Sequence, residues 1–467
     1  MIHRARDGNL SRTSRRGWGF VALLLLGWGL PIGCGGGVVI VIEGELTPES
    51  SETTTMPAPF SEGVTIRPVV GSGVPIGSAF PPDIVIPSND RAWIVTSSPP
   101  AGLLRFDLDE EGTFPSRFFP FPPEGSGIAD GIAPAGEDLL LVTMSGHDAL
   151  LLFDASRGVF TATLDLEAPI EISPPAPDSE GRLVSELEPS FTAGAAFVDG
   201  FLYVVTSNLV RTGTDPAANP GTVLIFETKR EGNGWRFVPA SPPAVVTSGF
   251  NPTEITPLSA EFLLVTNTGL LAIEGGESVA LSPGSVDLLS TRQRRIVANF
   301  PLGMGAPGFQ PIAITPDRCF GFLASAAYRE VYQIDLSVIP DDFEGEGGVR
   351  SLAEGVVADH THPIRIGGGG KGFLPQIAIE PGGRIAFVTD FEGGTLHPLD
   401  VGSIPARPFP QAIRITDPVP AAGEIGPGPL AFRPGIPPRD FTGPDLFVLT
   451  GFPTGFLVPV ATNIEGP

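Results

Sequence analysis

The stretch Gly372–Asp400 constrains the fold of this chain more than any other part of its sequence. It reads GFLPQIAIEPGGRIAFVTDFEGGTLHPLD, three short runs rich in Ile, Val and Phe that are separated by Pro-Gly-Gly and by Phe-Glu-Gly-Gly. β-Branched and aromatic residues favour strands, and glycine supplies the positive backbone φ angles that tight turns need. The stretch therefore predicts a strand, a hairpin, a second strand, a turn and a third strand.

The same pattern recurs along the chain, with a Gly/Ala-Phe-x-Pro start and an apolar doublet followed by Thr at the end of the second strand. The spacing of about 45 to 65 residues is close to that of propeller blades. A small antiparallel sheet cannot bury both of its faces alone, whereas sheets stacked around an axis cover one another. We therefore predict an all-β fold, a seven-bladed β-propeller. The copies begin with Ala79–Ser97, Gly131–Thr143, Ala195–Asn208, Gly249–Asn267, Gly308–Ser325, Gly372–Asp400 and Pro429–Gly435.

Val64–Val70 lies before the first copy and has no hairpin partner nearby in the sequence. We expect it to be the outer strand of the last blade, so that the two ends of the chain close the ring. The alternative is a strand-like linker.

Composition narrows the class of protein. The 60 Gly and 52 Pro residues suit a chain with many turns, and only Ser285–Val297 has modest helical periodicity. The net charge of −24 argues against nucleic acid and against anionic lipid surfaces as partners. Cys34 and Cys319 are the only cysteines, so no disulfide framework is expected, and Cys319 is predicted to be a buried residue of a second strand.

The N-terminal segment predicts export. Residues 1–33 combine five arginines with a short apolar run, as a secretory signal peptide does. Leu30–Cys34 (LPIGC) resembles a bacterial lipobox, which implies a lipid on Cys34; the alternative is an ordinary cleaved signal with an incidental cysteine. Residues 34–62 have the composition of a flexible tether. We expect residues 63–467 to form the propeller, with loop insertions near 168–189 and 340–370, as a monomer outside the cytoplasm: in a bacterial cell envelope (lipid-anchored, periplasmic or at the cell surface) or secreted.

Polar residues at the starts of inner strands and the ends of second strands should ring one mouth of the central channel. Their carboxylates and amides predict a site for Ca²⁺ or another divalent cation, since hard cations take several oxygen ligands. The alternative is that they cap strand ends through local backbone hydrogen bonds. These rim candidates are Asp83, Asp130, Asn208, Glu254, Asn267, Gln310, Gln376 and Asp390.

The segment Asp359–His362 (DHTH) holds the only histidine cluster. Alternating histidines on an extended segment point the same way, so Asp359, His360 and His362 are a second candidate metal site. The alternative is a solvent-facing loop, because the spacing identifies no further ligand.

The pattern P-x-I-A-I-x-P-G-G-R-I-A-F-V-T-D, clearest from Pro375 onward, resembles the YVTN-type repeats of lactonase-like and NHL-like propellers. Such families include sugar-lactone hydrolases and cell-envelope proteins, so the resemblance implies the fold and leaves the function open. Our first hypothesis is a lipid-tethered, non-enzymatic scaffold that binds a protein or small-molecule partner. The second is a metal-dependent hydrolase of the lactonase type, with its site at the mouth of the channel.

Overall fold

The computed structural model describes residues 56–57, 65–78, 81–108, 114–123, 128–136, 138–145, 148–166, 168–232, 234–340, 343, 348–415, 426–435, 443–451 and 455–465. The predicted signal peptide, Cys34 and most of the predicted tether lie outside these residues. Within the tether range, Met56–Pro57 forms a short strand that pairs with Thr65–Ile66, so this part of the range belongs to a sheet.

The described residues form a seven-bladed β-propeller, as the repeat predicts. Each blade is an antiparallel meander that runs outward from the axis. From the inner strand outward, the blades comprise Asp83–Ser88, Arg91–Thr96, Gly102–Asp107 and Ser116–Pro120; Ala129–Pro134, Leu139–Met144, Ala149–Asp154 and Val159–Asp165; Thr192–Val198, Phe201–Thr206, Thr222–Glu231 and Gly234–Val246; Pro252–Pro257, Phe262–Asn267, Ser285–Ser290 and Arg295–Pro301; Ala313–Ile314, Phe320–Ala324, Glu330–Asp335, and Val356–Ala358 with Ile364–Arg365; Ile377–Ile379, Ile385–Asp390, Thr395–Asp400, and Arg407–Pro408 with Ile413–Arg414; and Pro427–Phe432, Leu446–Thr450, Phe456–Ala461, and Val69–Val70 with Val74–Pro75.

The last blade confirms ring closure. Its outer edge is made by Val69–Val70 and Val74–Pro75, which pair antiparallel with Phe456–Ala461. The strand Thr65–Ile66 also pairs with Ile464–Glu465, so both ends of the described chain meet in the same region.

Apolar side chains fill the seams between neighbouring blades. In the first blade, Trp93 and Val95 pack toward the second blade, while Ala92 and Ile94 pack toward the seventh. Successive side chains of a strand point to opposite faces, and both faces of each blade are covered. This is why the second strands read as continuous apolar runs.

The threonine that ends the second strands has a structural role in most blades. Thr389 bonds the backbone of Gln376 on its own inner strand, and Thr206 bonds Thr222 on the third strand. A buried hydroxyl needs such a partner, and here the partner is the backbone or side chain of a neighbouring strand. The repeated Thr thereby ties together the strands at one end of the blade.

We call the face on which inner strands begin and second strands end the upper face. Three additional hairpins rise from its connections and contact one another, building a collar along one side of the channel mouth. They are Ile170–Pro177 with Leu183–Leu187, Leu209–Arg211 with Ala217–Ala218, and Leu271–Glu274 with Glu277–Ala280. The Arg211–Glu180 ion pair at 2.9 Å joins the first two hairpins, and Ile273 N donates to Gly213 O at 3.0 Å between the second and third. Glu277 of the third hairpin also forms an ion pair at 2.8 Å with Lys371, which precedes the sixth blade.

Three sequence expectations change. Ser285–Val297 falls on two antiparallel strands and the turn between them, because its apolar residues face two seams. Cys319 lies in the turn before Phe320–Ala324 and is only partly buried, with Sγ 3.8 Å from Asp317 O. The stretch near 340–370 is not simply a loop: it supplies edge strands to the fourth and fifth blades.

The remaining described elements are short. Two 3-10 turns occur, at Leu336–Val338 and Ala353–Gly355. The part of the chain covered by the structure holds no helix with the length and apolar character needed to cross a bilayer.

Candidate ligand-binding site in the central channel

Two carboxyl groups lie at mid-height in the channel. Asp83, the first residue of the innermost strand of its blade, accepts hydrogen bonds from Ile84 N at 2.8 Å and from Ile132 N of the next blade at 3.0 Å. Glu254, from the fourth blade, accepts one from Ile255 N at 2.8 Å. Both side chains are buried.

Burial controls the protonation of this pair. Loss of water raises the pKa of Asp83 to about 7, despite the hydrogen bonds from Ile132 and Ile84. Burial, together with the neighbouring charge of Asp83, raises the pKa of Glu254 to about 8. A carboxyl group without a cationic partner in a buried site keeps its proton, so Glu254 is mostly neutral at pH 7.

The channel widens above and below this level into two chambers. Gly131, Ala193 and Glu254 line both of them and so mark the constriction between them. The upper chamber encloses about 140 Å³ and the lower about 380 Å³. Gly131 has Asp83 Oδ2 and Thr143 Oγ1 within 4 Å of the position a Cβ would take, so a larger residue there would narrow the channel further.

A row of three phenylalanines forms one wall of the upper chamber. The ring centroid of Phe373 lies 6.3 Å from that of Phe309 and 6.2 Å from that of Phe391. All three are partly buried and line the chamber, with proline and leucine side chains completing the apolar surface. This wall gives the chamber the character of a pocket for an apolar molecule.

Two residues that line the upper chamber each carry a buried polar atom without a hydrogen-bond partner among the described residues. One is Oγ1 of Thr450, a residue that is 2% exposed. The other is Oε1 of Gln310, whose Nε2 donates across the channel to Pro82 O at 3.2 Å. Such atoms are costly to bury unsatisfied, so they mark a place where a ligand gains hydrogen bonds.

Asp130 is the second carboxyl group of the upper chamber. Burial and, to a smaller extent, the charge of Asp148 raise its pKa to about 7, while hydrogen bonds from Ser145 act in the opposite direction. No Lys, Arg or His is among the described residues that line this chamber. The ionisable groups of its lining are therefore Asp130 and Glu254, which are both acidic.

The rim candidates divide into two sets. Those at the starts of inner strands reach the channel: Asp83, Asp130, Glu254, Gln310 and Gln376. Gln376 lines the lower chamber, and its Oε1 accepts a hydrogen bond from Leu430 N of the seventh blade at 2.7 Å. Those at the ends of second strands, Asn208, Asn267 and Asp390, do not line either chamber.

The second set is engaged inside the blades. The amide of Asn208 donates to Pro220 O at 2.7 Å and accepts from Ser190 N at 2.9 Å. Asn267 is fully buried and donates to Ser285 Oγ at 3.1 Å. These bonds join the ends of second strands to segments 12 to 18 residues away in the sequence.

Asp390 lies in the seam between the fifth and sixth blades. Its carboxylate is 3.0 Å from Nε of Arg329, accepts from Gly393 N at 2.9 Å, and lies 3.8 Å from Nε2 of His397. Burial opposes its ionisation, but the bonds from His397 and Gly393 and the Arg329 charge together lower its pKa. Asp390 is therefore a structural anion.

The three residues of the DHTH segment have different partners. Asp359 accepts from the backbone of Thr361 and His362, and the His362 side chain is 86% exposed. His360 pairs with Glu330 at 2.9 Å and packs on the ring of Tyr328. Across the residues the structure describes, no three His, Cys, Asp or Glu side chains are grouped to hold a metal ion.

Sequence reasoning missed the phenylalanine row and Thr450. A signal was present, because Phe309 and Phe373 both occupy the Phe position of the repeated Gly-Phe-x-Pro start. Thr450 occupies the repeated Thr position, where the sequence gives no indication that its hydroxyl lacks the partner that Thr389 has.

No protein-family model matches the chain, and no curated protein matches it. Solved structures do match. The chain is similar to the β-propeller domain of Cps50 (Swd1) from Myceliophteria thermophila, at 9% identity and a TM-score of 0.51, over 84% of this chain and 99% of that one. It is likewise similar to hydrazine synthase of Kuenenia stuttgartiensis, at 13% identity and a TM-score of 0.51, over 84% of this chain and 98% of that one. At these identities the similarity shows a shared β-propeller fold and nothing about activity.

Proposed function

We propose that this protein is a lipid-tethered, extracytoplasmic β-propeller that acts as a binding scaffold and holds its ligand in the upper chamber. The observation that carries the proposal is an apolar cavity lined by Thr450 and Gln310, whose Oγ1 and Oε1 atoms have no partner among the described residues. Ligand pockets are typically apolar and contain a few placed polar groups. The collar hairpins extend the wall on one side of this mouth and provide further surface for a bound molecule.

The binding proposal is tested by filling the chamber. Gly428 lines it, and only Leu449 O, at 3.5 Å, lies within 4 Å of the position a Cβ would take. Gly428→Phe should therefore occupy the cavity without distorting the blade. With 2-phenylethanol as an apolar probe, titration calorimetry should detect binding to the wild type and none to the variant.

Gly348→Phe is the matched control, because Gly348 is exposed and has open space around it. This variant should bind the probe as the wild type does. Equal binding by Gly428→Phe and Gly348→Phe would refute the chamber as the binding site.

The location proposal rests on the arginine-rich, apolar N-terminal segment and on Cys34 within LPIGC. In a bacterial host, the wild type should incorporate a labelled fatty acid and sediment with membranes, whereas Cys34→Ser should do neither. Incorporation of the label by Cys34→Ser would rule out lipidation at this residue.

The metal-dependent hydrolase is our alternative proposal. It draws on the resemblance to lactonase-like repeats and on the meeting of Asp83 and Glu254 in the channel. The described residues do not fit a metal centre well, since each of these carboxyls already accepts backbone N–H bonds and no third ionisable ligand joins them. We therefore derive no step through a metal.

A melting scan with excess Ca²⁺ and then with chelator tests this alternative, because a ligand that binds only the folded state raises the melting temperature. A saturable rise that chelator reverses would favour the hydrolase. If none of Ca²⁺, Mg²⁺, Mn²⁺ and Zn²⁺ changed the melting temperature, the hydrolase proposal would be ruled out.

A further inference from the structure

We propose that the upper chamber selects a cationic amine carried on a small apolar body, such as an aryl-alkyl ammonium. The inference rests on the proposed function, since it names the chemical class of the ligand that the chamber binds. Three independent properties of the chamber lead to it: its charge, its hydrogen-bonding capacity and its apolar wall.

Among the described residues, the ionisable side chains that line the chamber are acidic. They are Asp130 and Glu254, and the neighbouring charges that raise their pKa values, those of Asp148 and Asp83, are acidic as well. A cation entering this site gains attraction in a medium of low dielectric, whereas an anion would be repelled. The chamber therefore discriminates strongly between ligands of opposite charge.

The polar atoms without partners require a donor. Oε1 of Gln310 can only accept a hydrogen bond, because an amide oxygen carries no proton. Thr450 is 2% exposed, and its hydroxyl can accept as well as donate. An ammonium group carries three N–H donors and no acceptor, so it matches a site lined by a carboxyl, an amide oxygen and a hydroxyl.

The same position in other blades shows that Thr450 is unusual. Thr206 and Thr389 bond neighbouring strands of their own blades, whereas Thr450 has no partner and lines the chamber. Thr266 also lacks a partner but lines neither chamber. The pair Thr450 and Thr266 therefore separates a role in binding from a role in the fold.

The apolar wall sets the size of the ligand. The cavity of about 140 Å³ is close to the roughly 150 Å³ that accommodates a benzene ring in an apolar protein cavity. Phe309, Phe373 and Phe391 offer ring faces and edges to such a body, and aromatic faces also attract cations. A single aromatic ring with a short ammonium arm fits this description.

Binding of a cation should be linked to proton release. With the chamber empty, the raised pKa values keep Glu254 mostly neutral and Asp130 partly neutral at pH 7. An ammonium ion stabilises their ionised forms, although Asp83 and Asp148 act against ionisation. Affinity for the cation should therefore increase as the pH rises through the pKa values of both groups, while the affinity for a neutral probe should not.

The test compares three probes of similar shape by titration calorimetry: 2-phenylethylamine, 2-phenylethanol and 3-phenylpropionate. At about pH 8, we expect the amine to bind at least about tenfold more tightly than the alcohol, with no measurable binding of the acid. Between about pH 6 and about pH 8, affinity for the amine should rise. The titrations are repeated in buffers that differ in their enthalpy of ionisation, which should show the release of protons when the amine binds.

Substitutions test whether residues of the chamber are responsible for binding of the amine. Thr450→Val and Glu254→Gln should each weaken binding of the amine by about tenfold, and Thr266→Val should leave it unchanged. Glu254→Gln should also reduce proton release.

The outcomes separate the two proposals. If the alcohol or the acid binds as tightly as the amine, and Gly428→Phe abolishes that binding, the preference for a cation is overturned and the chamber remains a binding site. If none of the three probes binds, both proposals fail. Equal weakening by Thr450→Val and Thr266→Val would also overturn the assignment.

Discussion

Two regions of this propeller bury carboxyl groups in opposite ways. On the channel axis, Asp83 and Glu254 have only backbone N–H donors, and burial raises their pKa values. In the seam between the fifth and sixth blades, Asp390 has Arg329 and His397 beside it, and its pKa is lowered. The same type of side chain is thus an anion in one region and a proton-bearing group in the other.

The comparison shows what distinguishes a structural carboxylate from one available for binding. In the seam, the charge is already matched by a cation of the protein, so the site is complete. On the axis no cation is supplied by the described residues, so the carboxyls can respond to pH or to an incoming ligand. Perturbed pKa values in a cleft are a marker of functional sites for this reason.

The largest expected effect is the loss of the ion pair in the seam. Asp390→Asn removes the anion beside Arg329, whose side chain is only 25% exposed. Leaving a mostly buried cation without its partner should lower the free energy of unfolding by about 2 to 3 kcal/mol. Urea denaturation at neutral pH measures this change.

Glu227→Gln is the control, because Glu227 pairs with Lys229 and both side chains are about half exposed. It should change the stability by less than about 0.5 kcal/mol. Similar losses for the two variants would contradict the view that Asp390 is a structural anion.

The next effect is a stability that depends on pH in opposite directions in the two regions. A carboxyl whose pKa is raised in the folded state holds a proton that the unfolded chain has lost. Stability from Glu254 should therefore fall as the pH rises from about 6 to about 8, by about 2 kcal/mol, and Glu254→Gln should remove that fall. Urea denaturation at several pH values reports the slope.

Asp390 should make stability depend on pH in the opposite direction. Its pKa is lowered, so its contribution is present above the pKa of the unfolded chain and is lost as the pH falls through the folded value. Asp390→Asn should reduce the loss of stability at acid pH. It should leave the change of stability between neutral and alkaline pH as it is in the wild type. If Asp390→Asn and Glu254→Gln changed the pH dependence of stability in the same pH range, the contrast between the seam and the channel axis would be contradicted.

A smaller effect distinguishes hydroxyls that have a partner from those that do not. Thr389→Val removes the bonds at 3.1 Å and 3.2 Å to the backbone of Gln376 and should cost about 1 to 2 kcal/mol. Thr450→Val removes no bond among the described residues and should change stability by less than about 0.5 kcal/mol. A loss in Thr450→Val equal to that in Thr389→Val would show that Thr450 is a structural residue. Chemical denaturation of the two variants in parallel decides this.

The smallest expected effect lies on the collar. Lys371 and Glu277 form an ion pair at 2.8 Å, but both side chains are about half exposed to solvent. Lys371→Met should therefore leave the free energy of unfolding close to that of the wild type, since solvent screens such a pair. A larger loss in urea denaturation would mean that the collar is held by this contact.

The fold was predictable because the repeat encodes it several times. The continuous apolar second strands, such as Arg91–Thr96 and Leu446–Thr450, reflect seams on both faces of each blade. The closing strand was predictable for a related reason: seven units left the last blade short of an edge, and Val64–Val70 had no hairpin partner nearby in the sequence.

The candidate site was predictable only in part. Residues at the starts of inner strands, such as Asp83 and Glu254, face the axis because the inner strand borders the channel. Residues at the ends of second strands lie one strand spacing farther out, about 4.8 Å, and have partners away from the channel: Asn208 bonds within its own blade and Asp390 pairs with Arg329 in a seam. Whether a hydroxyl such as that of Thr450 finds a partner depends on distances between strands, which the sequence pattern does not contain.

Ring closure has a consequence for the order of events when the chain is made. The strands Val69–Val70 and Val74–Pro75 emerge from the ribosome first, and their partner Phe456–Ala461 emerges about 380 residues later, after about 20 to 75 s of synthesis. Until then, the seventh blade has no outer edge and the seam between the seventh and first blades has only one side. The propeller therefore cannot be completed until Phe456–Ala461 has been synthesised, and loss of this strand would leave Val69–Val70 and Val74–Pro75 without their partner.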